Sequence, residues 1–169
     1  EDMLKPSIAA IDGVCTGGGI ELAMACDLRV VAETAEVSDL HLKNLGVGLG
    51  GWGASTRLPR IVGLGKAKEM ILTALVLNGR DAVQAGFAQR VFPPGKVVEG
   101  ALEMARKIAA MRPHGVKITL AHLDRAVNMP FYEGLRYADT VRRLLGPGPD
   151  AAEGYKAFVE GRKPEWGKG

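Results

Sequence analysis

The sequence predicts a mixed α/β fold whose strands are confined to its first half. Two observations carry this. Up to about residue 95, short apolar runs closed by turn residues alternate with helical patterns, as buried strands and helices do. From residue 96 onward the apolar residues recur at three and four, and strand-like runs stop. The expected organisation is a strand–helix region over 1–95 and a helical region over 96–169.

The elements follow in order. Residues 7–14 (SIAAIDGV) read as a short buried strand after Pro6, and 17–19 as a glycine turn. Residues 20–27 form a short helix with Ile20, Ala23, Met24 and Leu28 on one face. A second strand is expected over 28–32 (LRVVA) and a short third over 36–38. A glycine-rich segment, 46–53 (GVGLGGWG), leads to a brief helix over 54–62 that contains Pro59. A further helix covers 66–74, Asp81 caps another over 82–86, and 89–92 is a last strand stopped by Pro93 and Pro94. Residues 96–112 are amphipathic, with Val97, Ala101, Leu102, Ala105, Ile108 and Ala109 on one stripe. Pro113 suits the first position of the next helix, which runs towards Asn128. Helices are expected over 130–145 and 151–159, separated by a stiff GPGPD turn from which Asp150 caps the last one.

Composition excludes several classes. The chain has 169 residues, 47% hydrophobic and 24% charged, an ordinary globular balance. Net charge is +3 without a Lys/Arg block, and aromatic content is only 5%, so a nucleic-acid surface is not expected. No apolar run reaches the roughly 18 residues that cross a bilayer, and no signal-peptide pattern is visible. Cys15 and Cys26 make no disulfide framework and are expected to be reduced thiols, in a cytoplasmic setting. The sequence enters an apolar strand by Ile8 with little lead-in, as a segment of something longer would.

One stretch carries chemistry: CTGGGIELAMACD, residues 15–27. A helix N-terminus holds unsatisfied N–H groups and a partial positive charge. Glycines there let a ligand approach the backbone. If the helix starts near Gly18, its amide and the Glu21 side chain converge on one small volume, because helical side chains lean back towards the N-terminus. That pairing suits a carbonyl oxygen gaining negative charge, where each preorganised donor is worth about 2.7–4 kcal/mol. The carboxylate can move a proton beside that carbonyl or direct a water. The same letters also describe a tight strand–helix turn with a first-turn acid favouring the helix dipole.

KPSIAAIDGVCTGGGIELAMACDLRVVAE, residues 5–33, resembles the enoyl-CoA hydratase/isomerase (crotonase) superfamily, whose pattern is K-P-x-I-A-A-x-x-G followed by G-G-G-x-E-L-x-x-x-C-D. Residues 55–74, 77–93 and 151–166 resemble later stretches of the same family in the same order, so the likeness covers nearly the whole sequence. It implies a spiral core of ββα turns and a C-terminal helical region that builds homo-trimers, often stacked as hexamers. It implies an acyl-CoA substrate whose thioester carbonyl sits in an oxyanion hole of two backbone amides, with coenzyme A part of the substrate and no separate cofactor. Gly18 falls on one amide position, flanked by Gly17 and Gly19, and Glu21 on one of two catalytic glutamates. Phe158 falls on an aromatic position of the last helix that reaches a neighbour's coenzyme A. Gly161 stands at the usual basic position there, and Arg162 and Lys163 follow it as candidate substitutes.

Two departures stand out. The family's first third, with the other oxyanion amide, has no counterpart in this sequence, so the expectation is half a site. The second glutamate is also missing: no Glu occurs between Glu36 and Glu69. Counting forward from Glu21 puts His41 at that position, and counting back from Arg57 and Leu58 puts Lys43 there. Asp39 is the only acid close by. Imidazole titrates near neutral pH, so His41 is a candidate replacement, although a histidine in a polar loop is also an ordinary surface residue. Trp52 replaces a small residue of the family's loop and would narrow the acyl pocket, line it with a π-face, or simply pack in the core.

Other letters carry less. Residues 46–51 match G-x-G-x-x-G, but a polar segment precedes them and Pro59 follows, against a dinucleotide fingerprint. His114 and His122 lack acid or cysteine partners for a metal. Arg57 and Arg60 read as packing and surface charge. The expected function is hydration of a 2-enoyl-CoA. Isomerase or decarboxylase chemistry through the same enolate, and a non-catalytic acyl-CoA-binding trimer, are the alternatives.

Overall fold

A computed structural model describes residues 3–145 and 148–167. The described chain divides into two compact units, Pro6–Ala105 and Arg106–Gly169, with the division inside one helix.

In the first unit the expected strand over 7–14 is two strands, β1 (Ile8–Ile11) and β2 (Val14–Cys15). Asp12 and Gly13 form the corner between them. Helix α1 (Gly18–Ala25) follows, then β3 (Leu28–Ala32) and β4 (Glu36–Val37). Leu28 therefore opens a strand and is not part of the helix face. β1 pairs in parallel with β3, Ile8 opposite Leu28 and Ile11 opposite Val31. β2 pairs in parallel with β4, Val14 opposite Glu36. Each ββα turn thus lays one strand on each of two sheets and climbs by one strand. Parallel pairs need such crossovers, because a hairpin cannot join them. β5 (Arg90–Phe92) extends the first sheet to the order β1-β3-β5.

Polar side chains lock this register. Asp27 Oδ2 accepts hydrogen bonds from Ser7 N (2.6 Å) and Ser7 Oγ (2.7 Å), tying the starts of β1 and β3 together. Buried Arg29 donates to the carbonyls of Phe87 (2.7 Å), Cys26 (2.8 Å) and Ala23 (3.2 Å), with its guanidinium over the Phe87 ring. Burial pulls this guanidinium below its ordinary value, and the carbonyl bonds supply what water would have given. The core fills around Ile20, Val30, Val31, Val37, Leu58, Met70 and Phe87.

Between β4 and β5 run α2 (His41–Leu45), α3 (Ala54–Val62), α4 (Leu64–Thr73) and α5 (Gly79–Gln84). The cap of α5 is Asn78, whose Oδ1 accepts from Asp81 N at 3.0 Å, and not Asp81 itself. Gly79 lies so close to the Ala32 carbonyl that no Cβ fits. Helix α6 (Val97–Ala109) carries the amphipathic stripe read from the sequence.

The second unit continues with α7 (Pro113–Ala126), α8 (Phe131–Leu145) and α9 (Gly148–Val159). Residues 146 and 147 of the expected turn lie outside the described residues, and α9 begins before Asp150. His122 stacks on Tyr137, with ring centroids 5.6 Å apart, across α7 and α8. Trp166 Nε1 donates to Ala110 O at 2.9 Å, which fastens the tail back onto the unit. Among the described residues, no helix is long and apolar enough to cross a membrane.

Candidate active site

The spiral sets the site. The register that places Leu28 beside Ile8 also carries the start of α2 onto the first turn of α1. Glu21 and His41 are therefore neighbours one turn of the spiral apart. His41 is not in a surface loop. It opens α2, is about 9% exposed, and its Nε2 lies 3.7 Å from Glu21 Oε2. Lys43, the other candidate for the second position, is exposed.

Glu21 is itself buried, at 3% exposure. Its Oε1 accepts two backbone hydrogen bonds, from Trp52 N at 2.7 Å and Ala54 N at 3.1 Å. The glycine-rich segment before α3 thus wraps the carboxylate and leaves Oε2 facing His41. Gly50 makes the wrap: it has a positive φ of 70°, and a Cβ there would run into Glu21 Oε1. Arg57 Nη1 donates to Trp52 O and Arg57 N to Gly53 O at 3.0 Å, bracing the loop from the other side. Arg57 therefore does more than pack or carry surface charge. The loop is a carboxylate cradle and not a dinucleotide turn.

The imidazole is held from its far side. Asp39 Oδ1 accepts from His41 N at 3.0 Å and lies 2.8 Å from His41 Nδ1. Asp39 is fully buried. Sequence reading noted this acid without giving it a role. The available signal was an Asp two residues before a His, a spacing at which the side chain folds back onto the backbone.

Gly18 is the first residue of α1, where an N–H has no acceptor within the helix. The neighbouring amides are taken: Gly19 N donates to Thr16 O at 2.9 Å and Glu21 N to Gly17 O at 3.3 Å. Gly17 adopts a φ of 54° to turn the chain into the helix. The Trp52 ring lies against Gly18, where a Cβ would come within 2.8 Å of Cζ3. Trp52 is 71% exposed, so it is not a core residue: it stands beside the free helix end. A side chain at 18 would therefore have to displace the indole.

The structure brings together Gly17, Gly18, Gly19, Glu21, His41 and Trp52. Phe158 and Lys163 lie in the second unit, both exposed. A cavity of about 320 Å³ in that unit, between α7 and α8, is lined by Arg112, His114, His122 and Arg142 among others, and holds none of the expected site residues. Cys15 and Cys26 are free thiols, and burial pushes Cys15 up to about 11.

Chemically, the arrangement offers a fixed carboxylate oxygen facing an imidazole nitrogen. A gap of 3.7 Å is too long for a direct hydrogen bond. A water at bonding distance from both atoms would sit about 2 Å off the line joining them.

Comparison with known proteins bears on the fold and the family. The family model described as enoyl-CoA hydratase/isomerase matches residues 1–169. A probable enoyl-CoA hydratase of Rhizobium meliloti is 38% identical over 162 residues, 96% of this chain and 62% of its own length. The human mitochondrial methylglutaconyl-CoA hydratase is 34% identical over 95% of this chain and 48% of its length. The crystal structure of enoyl-CoA hydratase from Bacillus anthracis superposes with a TM-score of 0.91 at 34% identity, covering 96% of this chain and 62% of that one. The chain thus spans about half to two-thirds of the length of these relatives. Its fold is that of the crotonases, and the chain belongs to the enoyl-CoA hydratase/isomerase family.

Proposed function

We propose that this chain carries the acid–base centre of an acyl-CoA site that adds water to a 2-enoyl-CoA. One observation carries the reading: Glu21 Oε2 and His41 Nε2 lie 3.7 Å apart, so that one water beside the pair would reach both. Glu21 takes a proton from that water, and the water oxygen bonds to C3 of the enoyl group. The electron pair of the double bond moves onto the thioester, whose oxygen accepts a hydrogen bond from Gly18 N–H. His41, as imidazolium, gives its Nε2 proton to C2. Glu21 then returns its proton to His41, so the centre is restored and one water has been added.

Isomerisation would need only one group passing a proton between carbons, and the presence of two facing groups favours hydration over it. Trp52 is the wall beside the thioester and limits the acyl group. Coenzyme A enters as part of the substrate, and no separate cofactor is needed. Assembly as a trimer or hexamer belongs to the same reading, with Phe158 and Lys163 meeting a neighbour's coenzyme A. The exposed apolar side chains Phe131, Tyr132, Leu135, Tyr155 and Phe158 support it, and sedimentation of the full-length protein tests it.

The test of the reaction is turnover of full-length protein on crotonyl-CoA and on methylmalonyl-CoA. Hydration of the first that falls about 10²–10⁴-fold in His41→Ala is expected. Decarboxylation of the second without hydration would replace this reading with its closest rival. Binding of both without turnover would leave an acyl-CoA-binding protein.

A further inference from the structure

Asp39 is the one ionisable group at the centre to which the proposed reaction gives no task. It is fully buried, and a buried carboxylate is costly unless something repays it. Both of its hydrogen bonds go to a single residue: Oδ1 takes His41 N at 3.0 Å and His41 Nδ1 at 2.8 Å. Oδ2 is buried without a partner. Capping the first amide of α2 would explain the backbone bond alone, and a serine would serve for that. The contact with the ring is what a cap does not need.

A carboxylate only accepts, so the hydrogen between Asp39 and the ring sits on His41 Nδ1. Nε2 is then the nitrogen left to face Glu21. We propose that Asp39 is a positioning residue that holds His41 in its Nδ1–H tautomer and aims Nε2 at the gap, making Glu21, His41 and Asp39 one relay. The catalytic half of this statement rests on the hydration reading, while the tautomer half does not. In each cycle His41 loses its Nε2 proton to C2 and regains one from Glu21. The Nδ1 proton stays in place, and Asp39 exchanges none. Without Asp39 the ring can turn or take the other tautomer, and Nε2 loses its fixed aim.

The experiment uses full-length protein with 15N-labelled histidine. In the unaltered protein, His41 is expected to show the Nδ1–H pattern in its neutral form, and a proton on Nε2 instead overturns the proposal without any variant. Two variants follow. Asp39→Ser keeps a cap too short to reach the ring, and Asp39→Asn keeps an oxygen that can take both bonds. Asp39→Ser is expected to lower kcat about 10–100-fold with KM nearly unchanged, as loss of a group that orients a catalytic ligand does, and Asp39→Asn to retain most of it. Full kcat in Asp39→Ser, with His41→Ala impaired, overturns the relay and leaves the hydration reading intact. Full turnover in His41→Ala overturns the hydration reading, and the tautomer signal then decides the positioning claim alone.

Discussion

Two clusters in this chain place a pair of carboxylates around one nitrogen base, and solvent separates what they can do. In the first unit Glu21 and Asp39 flank His41, and all three are buried. In the second unit Glu153 and Glu160 flank Arg162 at the surface. The surface contacts are tight: Arg162 Nη1 lies 2.6 Å from Glu153 Oε1, Nη2 lies 3.0 Å from Oε2, and Nε lies 2.6 Å from Glu160 Oε2. The guanidinium is permanently charged and every nitrogen is occupied, so this cluster fixes geometry and nothing more. The buried cluster is looser: its acid and base lie 3.7 Å apart and are not hydrogen-bonded to each other. An acid and an imidazole that face each other without being locked together can each exchange a proton with a third group.

The sharpest way to break this contrast is to neutralise one acid in each cluster. Glu21→Gln keeps an oxygen for Trp52 N and Ala54 N but cannot take a proton. It is expected to lower the hydration kcat about 10²–10⁴-fold. Glu153→Gln should leave turnover unchanged. Equal effects of the two changes on kcat would erase the distinction between a reacting cluster and a fastening one.

A second pair of variants separates the cradle from ordinary backbone strain. Gly46 and Gly50 both have positive φ, 73° and 70°. Alanine in either costs about 1–2 kcal/mol of stability, because Cβ crowds the carbonyl in that conformation. At Gly46 nothing stands within 4 Å of the added atom, whereas at Gly50 it meets Glu21 Oε1 and comes within 2.7 Å of Ala54 Cβ. Gly50→Ala should therefore depress kcat well beyond Gly46→Ala, with a further loss of thermal stability from the added contacts. If the two lose activity in parallel, the loop does not hold the carboxylate in the way its hydrogen bonds describe.

How much of this the sequence disclosed follows from what kind of atom does each job. Gly18 and Glu21 could be singled out only through the family resemblance, because a glycine run before a first-turn acid also describes a plain strand–helix turn. His41 was reachable by counting from Glu21, since one turn of the spiral separates them. Its burial was not legible: α2 has five residues, too few to show a helical period, so the segment read as loop. The two amides that hold Glu21 belong to Trp52 and Ala54, and backbone groups leave no mark on the letters of a sequence. The apolar run 7–14 reads as one strand by its letters, and the structure breaks it at the Asp12–Gly13 corner. Parallel pairing was equally hidden, since it is set by crossovers and not by local propensity.

The smallest effect lies in the surface cluster and concerns acid. Two hydrogen bonds from Arg162 and one from Glu165 N at 2.9 Å hold the Glu153 carboxyl down at about 2. Arg162 is pushed up by Glu153 and Glu160 and stays charged throughout the acid range. Because Glu153 is lowered in the folded chain, its bonds favour the folded tail above its ordinary value near 4.5 and are lost as pH falls towards 2. The segment beyond Arg162 should thus loosen only below about pH 4.5, while the environment of Trp166 stays constant from neutrality down to that point. Titration of the Glu153 carboxyl carbon by NMR reads this directly. A midpoint near 2 is expected, moving up towards 4.5 in Arg162→Met. A midpoint already near 4.5 in the unaltered chain would mean that solvent screens the pair, and the surface cluster would then not even fasten the tail.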